Sequence, residues 1–116
     1  MFNPKEFLKL AESLYKDKNY KKDARFRTVV GRCYYASFLV CRSILQEKHG
    51  ITFSGTPDEH QGVHDELFSL NRHEEADFLA DLRIERNKAD YNLKIEFLEG
   101  EVEEQIYTAR KIIENI

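Results

Sequence analysis

Between Arg83 and Tyr91 the chain gathers two guanidinium groups, an amide, a carboxylate and a phenol: Arg83, Arg86, Asn87, Asp90 and Tyr91. Guanidinium groups grip phosphate through paired N–H donors, while Asn and Tyr orient hydroxyls or stack on bases. On a helical wheel with Arg83 at the origin, Arg86 falls at about −60°, Asn87 at about 40°, Asp90 at about −20° and Tyr91 at about 80°. Phe78, Leu79, Leu82 and Ala89 fill the arc from about −40° to −140°, and Asp77, Asp81, Glu85 and Lys88 lie on the far side. The five polar residues therefore border the core face instead of joining the ordinary solvent face. Polar groups at such a boundary need partners or a ligand. One solution is internal: Asp90 satisfies Arg86 one turn away, and Asn87 and Tyr91 bond backbone groups. The other is a phosphate site made by Arg83, Arg86, Asn87, Asp90 and Tyr91 together.

A second cluster stands upstream. Tyr34 and Tyr35 point about 100° apart on a helix, so Tyr34 is expected in the core and Tyr35, with Arg32 near it, is the one free to stack on a base. His60 and His64 are spaced to chelate zinc, but no third ligand is fixed by spacing and the H-E-x-x-H pattern is absent, so no metal is expected. His60 is instead a candidate partner of Tyr34 or Tyr35. There is no Gly-rich phosphate loop, nucleophile elbow or C-x-x-C pair, and no cofactor is expected.

Helices must position these residues. Asn3-Pro4-Lys5-Glu6 reads as a cap, a first-turn proline and a capping glutamate, opening a helix with Phe7, Leu10, Ala11 and Leu14 on one face. A long second helix runs from about Lys21 to Lys48 and stops at His49-Gly50. Val30, Cys33, Tyr34, Ser37, Cys41, Ile44 and Leu45 share one side of it, and Arg32, Tyr35, Ala36 and Leu39 roughly the other. A helix apolar on two sides is central in its bundle or touches a second subunit; both are expected of this one, with the long helix and the Arg86 patch near a two-fold interface. Thr56-Pro57-Asp58-Glu59 repeats the capping logic for a third helix ending near Asn71. A fourth helix runs from about His73 to Asp90, and a fifth from about Phe97 carries Val102, Ile106, Ala109, Ile112 and Ile113 inward. The expected fold is all-α, an antiparallel bundle of four to five helices in one domain over residues 1–116.

Composition agrees. A charged fraction of 34% with five glycines and two prolines suits helices with solvated faces. No apolar run approaches the roughly 18 residues of a membrane span, and the first residues have no apolar signal region, so the cytoplasm is the default. Cys33 and Cys41 lie about 12 Å apart along one helix, too far for a disulfide, and read as small core residues. Residues 1–56 hold 11 Lys/Arg against 5 Asp/Glu, whereas residues 57–116 hold 7 against 16. The basic stretch from Lys16 to Arg32 is either a phosphate footprint or a solvated helix start facing an acidic neighbour.

Three segments carry a resemblance. Arg32-Cys33-Tyr34-Tyr35-Ala36-Ser37-Phe38 resembles the R-x-Y-Y-A-x-F segment in the long helix of HEPN domains, the small stand-alone prokaryotic type in particular. His60-Gln61-Gly62-Val63 followed by Phe68 looks like that family's H-x-G-V…F segment, and Arg83 to Tyr91 is similar to its R-x-x-R-N-x-A-D-Y segment. The matches run in order from about residue 25 to residue 112. The resemblance implies a HEPN-like bundle that forms a homodimer and often pairs with a minimal nucleotidyltransferase in toxin–antitoxin-like systems. In many members it implies metal-independent RNA cleavage by an arginine and a histidine with four to six residues between them, Arg86 being the matching arginine. The chain departs from the pattern there: Tyr91 stands where the histidine belongs, and no histidine follows Arg86. A phenol of pKa about 10 is roughly 0.1% ionised at pH 7, far from a general base. The expectation is therefore an RNA- or nucleotide-binding, partner-dependent component, with an active ribonuclease using Arg86 or a purely structural dimerisation module as alternatives.

Overall fold

The computed structural model describes residues 1–116 and is all-helical, with no strand. Five helices follow in order: α1 (Lys5–Lys16), α2 (Lys22–His49), α3 (Glu59–Ser69), α4 (His73–Tyr91) and α5 (Glu99–Asn115). At about 1.5 Å per residue, the 28 residues of α2 span the full 42 Å length of the molecule. The other four helices all pack against α2. That central place accounts for its two-sided apolar pattern within one chain: Cys33, Tyr34 and Cys41 are buried on one side and Ala36 on the other. Tyr35 and Leu39 stay half-buried, and they turn out to face a cleft.

The stop signals work as the sequence suggests. Gly50 adopts the left-handed conformation at φ 64°, and the Ile51 N–H reaches back to the Leu45 carbonyl at 3.2 Å, closing α2. Asn71 takes the same conformation, also at φ 64°, and the Arg72 N–H returns to the Leu67 carbonyl at 2.9 Å. Two start signals differ from expectation. Asn3 Oδ1 accepts the Lys5 N–H at 3.1 Å, but Glu6 does not reach back to complete a box. No side chain caps α3 at all. The Thr56 hydroxyl pairs with that of Ser54, and the Glu59 carboxylate is drawn away to Arg42. The reciprocal glutamate contact appears instead at α5, where Glu101 accepts the Leu98 N–H at 2.8 Å.

The core is one cluster in which Phe26, Val29, Val30, Tyr34 and Leu45 of α2 meet Val63 and Leu67 of α3, Leu79 and Leu82 of α4, and Val102, Ala109 and Ile112 of α5. Each large apolar side chain removed from water contributes about 1.5–3 kcal/mol. Cys33 and Cys41 are free thiols inside this core. Arg27 ties α2 to the far end of α4: its Nη1 donates to the carbonyls of Ala89 (2.9 Å) and Asn92 (3.0 Å), and its Nη2 to that of Ile95 (2.6 Å). One planar cation thereby satisfies carbonyls that the end of a helix leaves open. No helix is long and apolar enough to cross a membrane.

Candidate functional site

The middle of α2, the start of α3 and the second half of α4 enclose a cleft of about 530 Å³. Tyr35, Phe38 and Arg42 line it from α2, one helical stripe at i, i+3 and i+7. Arg83, Arg86 and Tyr91 line it from α4, and Glu59 and His60 from the first turn of α3. Three guanidinium groups against one carboxylate leave the lining cationic.

The three arginines are in different states. Arg42 is paired with Glu59, whose carboxyl is held below its usual range first by that hydrogen bond. Arg86 is heavily engaged. Its Nη2 donates to the Tyr35 hydroxyl at 2.7 Å and its Nη1 to Asn87 Oδ1 at 3.1 Å. Its Nε lies 3.0 Å from Asp90 Oδ2, an ion pair by distance in which the N–H does not aim at the carboxylate, so this buried atom has no hydrogen-bond partner. Of the internal network expected from the sequence only the Asp90–Arg86 pair forms: Asn87 accepts from the Arg86 side chain and does not bond backbone, and Tyr91 bonds nothing and is 74% exposed. Arg83 is free. It is half-buried and makes no hydrogen bond or ion pair.

Of the residues singled out from the sequence, the fold brings Tyr35, Arg83, Arg86 and Tyr91 into the cleft. Asn87 and Asp90 are exposed beside Arg86 and do not line it. Arg32 lies outside as well, with its guanidinium carbon 4.9 Å from the ring centres of both Phe7 and Tyr35. It supports Tyr35, whose ring also has the Arg86 guanidinium 5.0 Å from its centre. Tyr34 is buried in the core as expected.

The residue added by the fold is His60. Its Nδ1 is hydrogen-bonded to the Tyr34 hydroxyl, and its ring stacks on Phe38 with centroids 4.3 Å apart. Burial, then the nearby charges of Arg83 and Arg86, push its pKa below the ordinary 6.5, against an opposing pull from Glu59. The imidazole is therefore neutral near pH 7. With its proton on Nδ1 it donates to Tyr34 and leaves Nε2 a base; with its proton on Nε2 it is a donor for a bound anion. Burial also raises the Tyr34 phenol above its ordinary value, so this hydroxyl stays protonated. Arg42 and Phe38 join the site without a motif of their own, although the stripe from Tyr35 to Arg42 on α2 is visible in the spacing.

No family model and no solved structure matches the chain. Two uncharacterized proteins of the archaeon Methanocaldococcus jannaschii are similar to it. One is 55% identical over 47 residues, covering 40% of this chain and 28% of the relative. The other is 30% identical over 112 residues, covering 82% of this chain and 63% of the relative. The chain thus spans less than two thirds of the length of either relative.

Proposed function

We propose that the cleft binds the phosphate of RNA or of a nucleotide, and that the chain is a HEPN-type module of a toxin–antitoxin-like or nucleotidyltransferase-partnered system. The observation that carries the reading is Arg83: a half-buried guanidinium without a partner, in a cleft it shares with Arg42, Arg86 and His60. A cation placed there gains little for the fold, whereas an anion entering the cleft meets donors already in place. The half-buried Tyr35 adds aromatic surface on which a base can stack. The resemblance supplies the homodimer, and the exposed Tyr91 and Leu93 at the end of α4 are the surface we assign to the second copy. Light scattering at tens of micromolar tests that assignment, and a monomer alone refutes it.

The test of binding is a titration of fluorescently labelled single-stranded RNA and of mononucleotides at low salt. Affinity is expected to fall as salt rises and to weaken in Arg86→Ala. Absence of binding to every RNA and nucleotide at low salt refutes the phosphate reading.

His60 favours a second reading, metal-independent ribonuclease chemistry. In it, Nε2 takes the proton of a ribose 2′-hydroxyl and the 2′-oxygen bonds to phosphorus. The bond to the 5′-oxygen then breaks, and that oxygen takes from Nε2, through a water, the proton that His60 had accepted. Chelator-resistant cleavage leaving 2′,3′-cyclic phosphate, lost in His60→Ala and kept in Tyr91→Phe, supports this reading. Loss in Tyr91→Phe and Arg86→Ala with His60→Ala still active assigns the chemistry to Tyr91 instead.

A further inference from the structure

A second recess opens on the other side of His60. It has a volume of about 270 Å³ between α2, α3 and α4, and is lined by Tyr34, Gln61, His64, Leu79, Ala80 and Ile84 together with His60 and Arg83. The two spaces share His60 and Arg83, so the unpaired guanidinium stands at a wall common to both.

The linings differ in kind. The larger cleft is cationic and aromatic. The recess has a buried apolar floor at Leu79, a half-exposed Ile84 at its rim, and amide and imidazole groups from Gln61 and His64 along one edge. Gln61 Nε2 is occupied by Asp65 at 2.9 Å, which leaves its carbonyl oxygen free to accept. Sites for whole drug-sized ligands run from about 300 Å³ upward, so the recess suits one ring system and not a complete nucleotide. A flat heterocycle with hydrogen-bonding groups on its edge matches apolar contacts on its face and polar ones at Gln61 and His64.

We propose that this recess is a base subsite, and that the site takes a single-stranded nucleic-acid step of two nucleotides: a phosphodiester on Arg83 and His60, one base in the recess, and the neighbouring nucleotide against Tyr35. The inference rests on the phosphate reading of the larger cleft and adds to it the length and the seating of the ligand. The charges agree with a phosphodiester. One free guanidinium matches its single negative charge, while Arg42 and Arg86 are already partnered by Glu59 and Asp90. A nucleoside triphosphate brings more charge than the one free cation neutralises.

The experiment compares binding of adenylyl-adenosine, AMP and ATP by calorimetry at low salt, in the full chain and in two variants. Ala80→Phe fills the recess, and Gln61→Ala removes an exposed edge group without touching the core. The unaltered protein is expected to bind the dinucleotide about ten-fold more tightly than AMP or ATP. Ala80→Phe should bring the dinucleotide down to the AMP value while AMP itself changes less than about two-fold. Gln61→Ala should weaken the dinucleotide alone by a smaller factor, which keeps the test open should Ala80→Phe fail to fold. Dinucleotide affinity unaffected in folded Ala80→Phe, or ATP binding more tightly than the dinucleotide, overturns the subsite while leaving the phosphate site standing. Binding of none of the three ligands overturns both.

Discussion

Arg86 of α4 donates to the hydroxyl of Tyr35 on α2 at 2.7 Å and holds its guanidinium 5.0 Å from the centre of the same ring. One contact thus fixes two residues, from helices 51 positions apart in sequence, that the sequence had nominated separately. It also divides the arginines of the cleft by role: Arg86 holds the wall together and Arg83 is left to meet a ligand.

Arg86→Ala should therefore cost stability as well as binding. It leaves the Tyr35 hydroxyl and Asp90 without their partner, and about 1–2 kcal/mol is expected from the lost hydrogen bonds of a charged group that is mostly but not wholly buried. A melting temperature several degrees lower is the readout. Arg86→Lys should recover only part of it, since an ammonium cannot repeat the planar fork.

The bundle, its five helices and the face carrying Arg83 and Arg86 were legible because they depend on periodicity and terminal residues. The stop at Gly50 needed only a residue tolerant of positive φ. The other half of the cleft was not legible. His60 reaches Tyr34 across 26 positions through packing of α3 on α2, and no spacing rule encodes that approach. Its place in the segment His60 to Val63 was the one available signal, and it suggested a partner for a tyrosine but not a wall of the site. By its spacing Glu59 belongs to a helix start, yet it pairs with Arg42, because a carboxylate held by a guanidinium gains more than one capping a frayed first turn.

Acid should destabilise the fold in two stages. The folded pKa of His60 lies below its ordinary 6.5, so the unfolded chain takes up this proton first; stability is intact above about 6.5 and falls as pH drops through the lower folded value. Glu59 has the same sign from an ordinary value of 4.5, and its contribution is lost at lower pH. Urea midpoints measured from pH 7.5 to pH 3.5 should decline below pH 6.5, and His60→Gln should flatten the first stage only.

Cys33 and Cys41 should be inert. Burial pushes both thiols up to about 12 and neither has exposed surface, so almost no thiolate exists near neutrality. Ellman's reagent at pH 8 should label neither residue in native protein and both in denaturant.

Arg27→Ala should loosen the segment after α4. It removes the donor to three carbonyls, of Ala89, Asn92 and Ile95, at a cost of about 2–3 kcal/mol. Hydrogen exchange should rise around residues 92–97, next to the α4 end that carries Tyr91, while amides in the middle of α2 keep their relative order of protection.

If Arg83 is held free for a phosphate, the most direct measurement pairs RNA affinity with thermal stability in Arg83→Gln. With no ion pair or hydrogen bond to lose, the variant should melt within about 1–2 °C of the unaltered protein. Its dissociation constant for single-stranded RNA at low salt should rise about ten-fold or more, with a shallower salt dependence by roughly one phosphate contact. Unchanged RNA affinity in a folded Arg83→Gln protein, or a large fall in melting temperature without loss of binding, contradicts the claim.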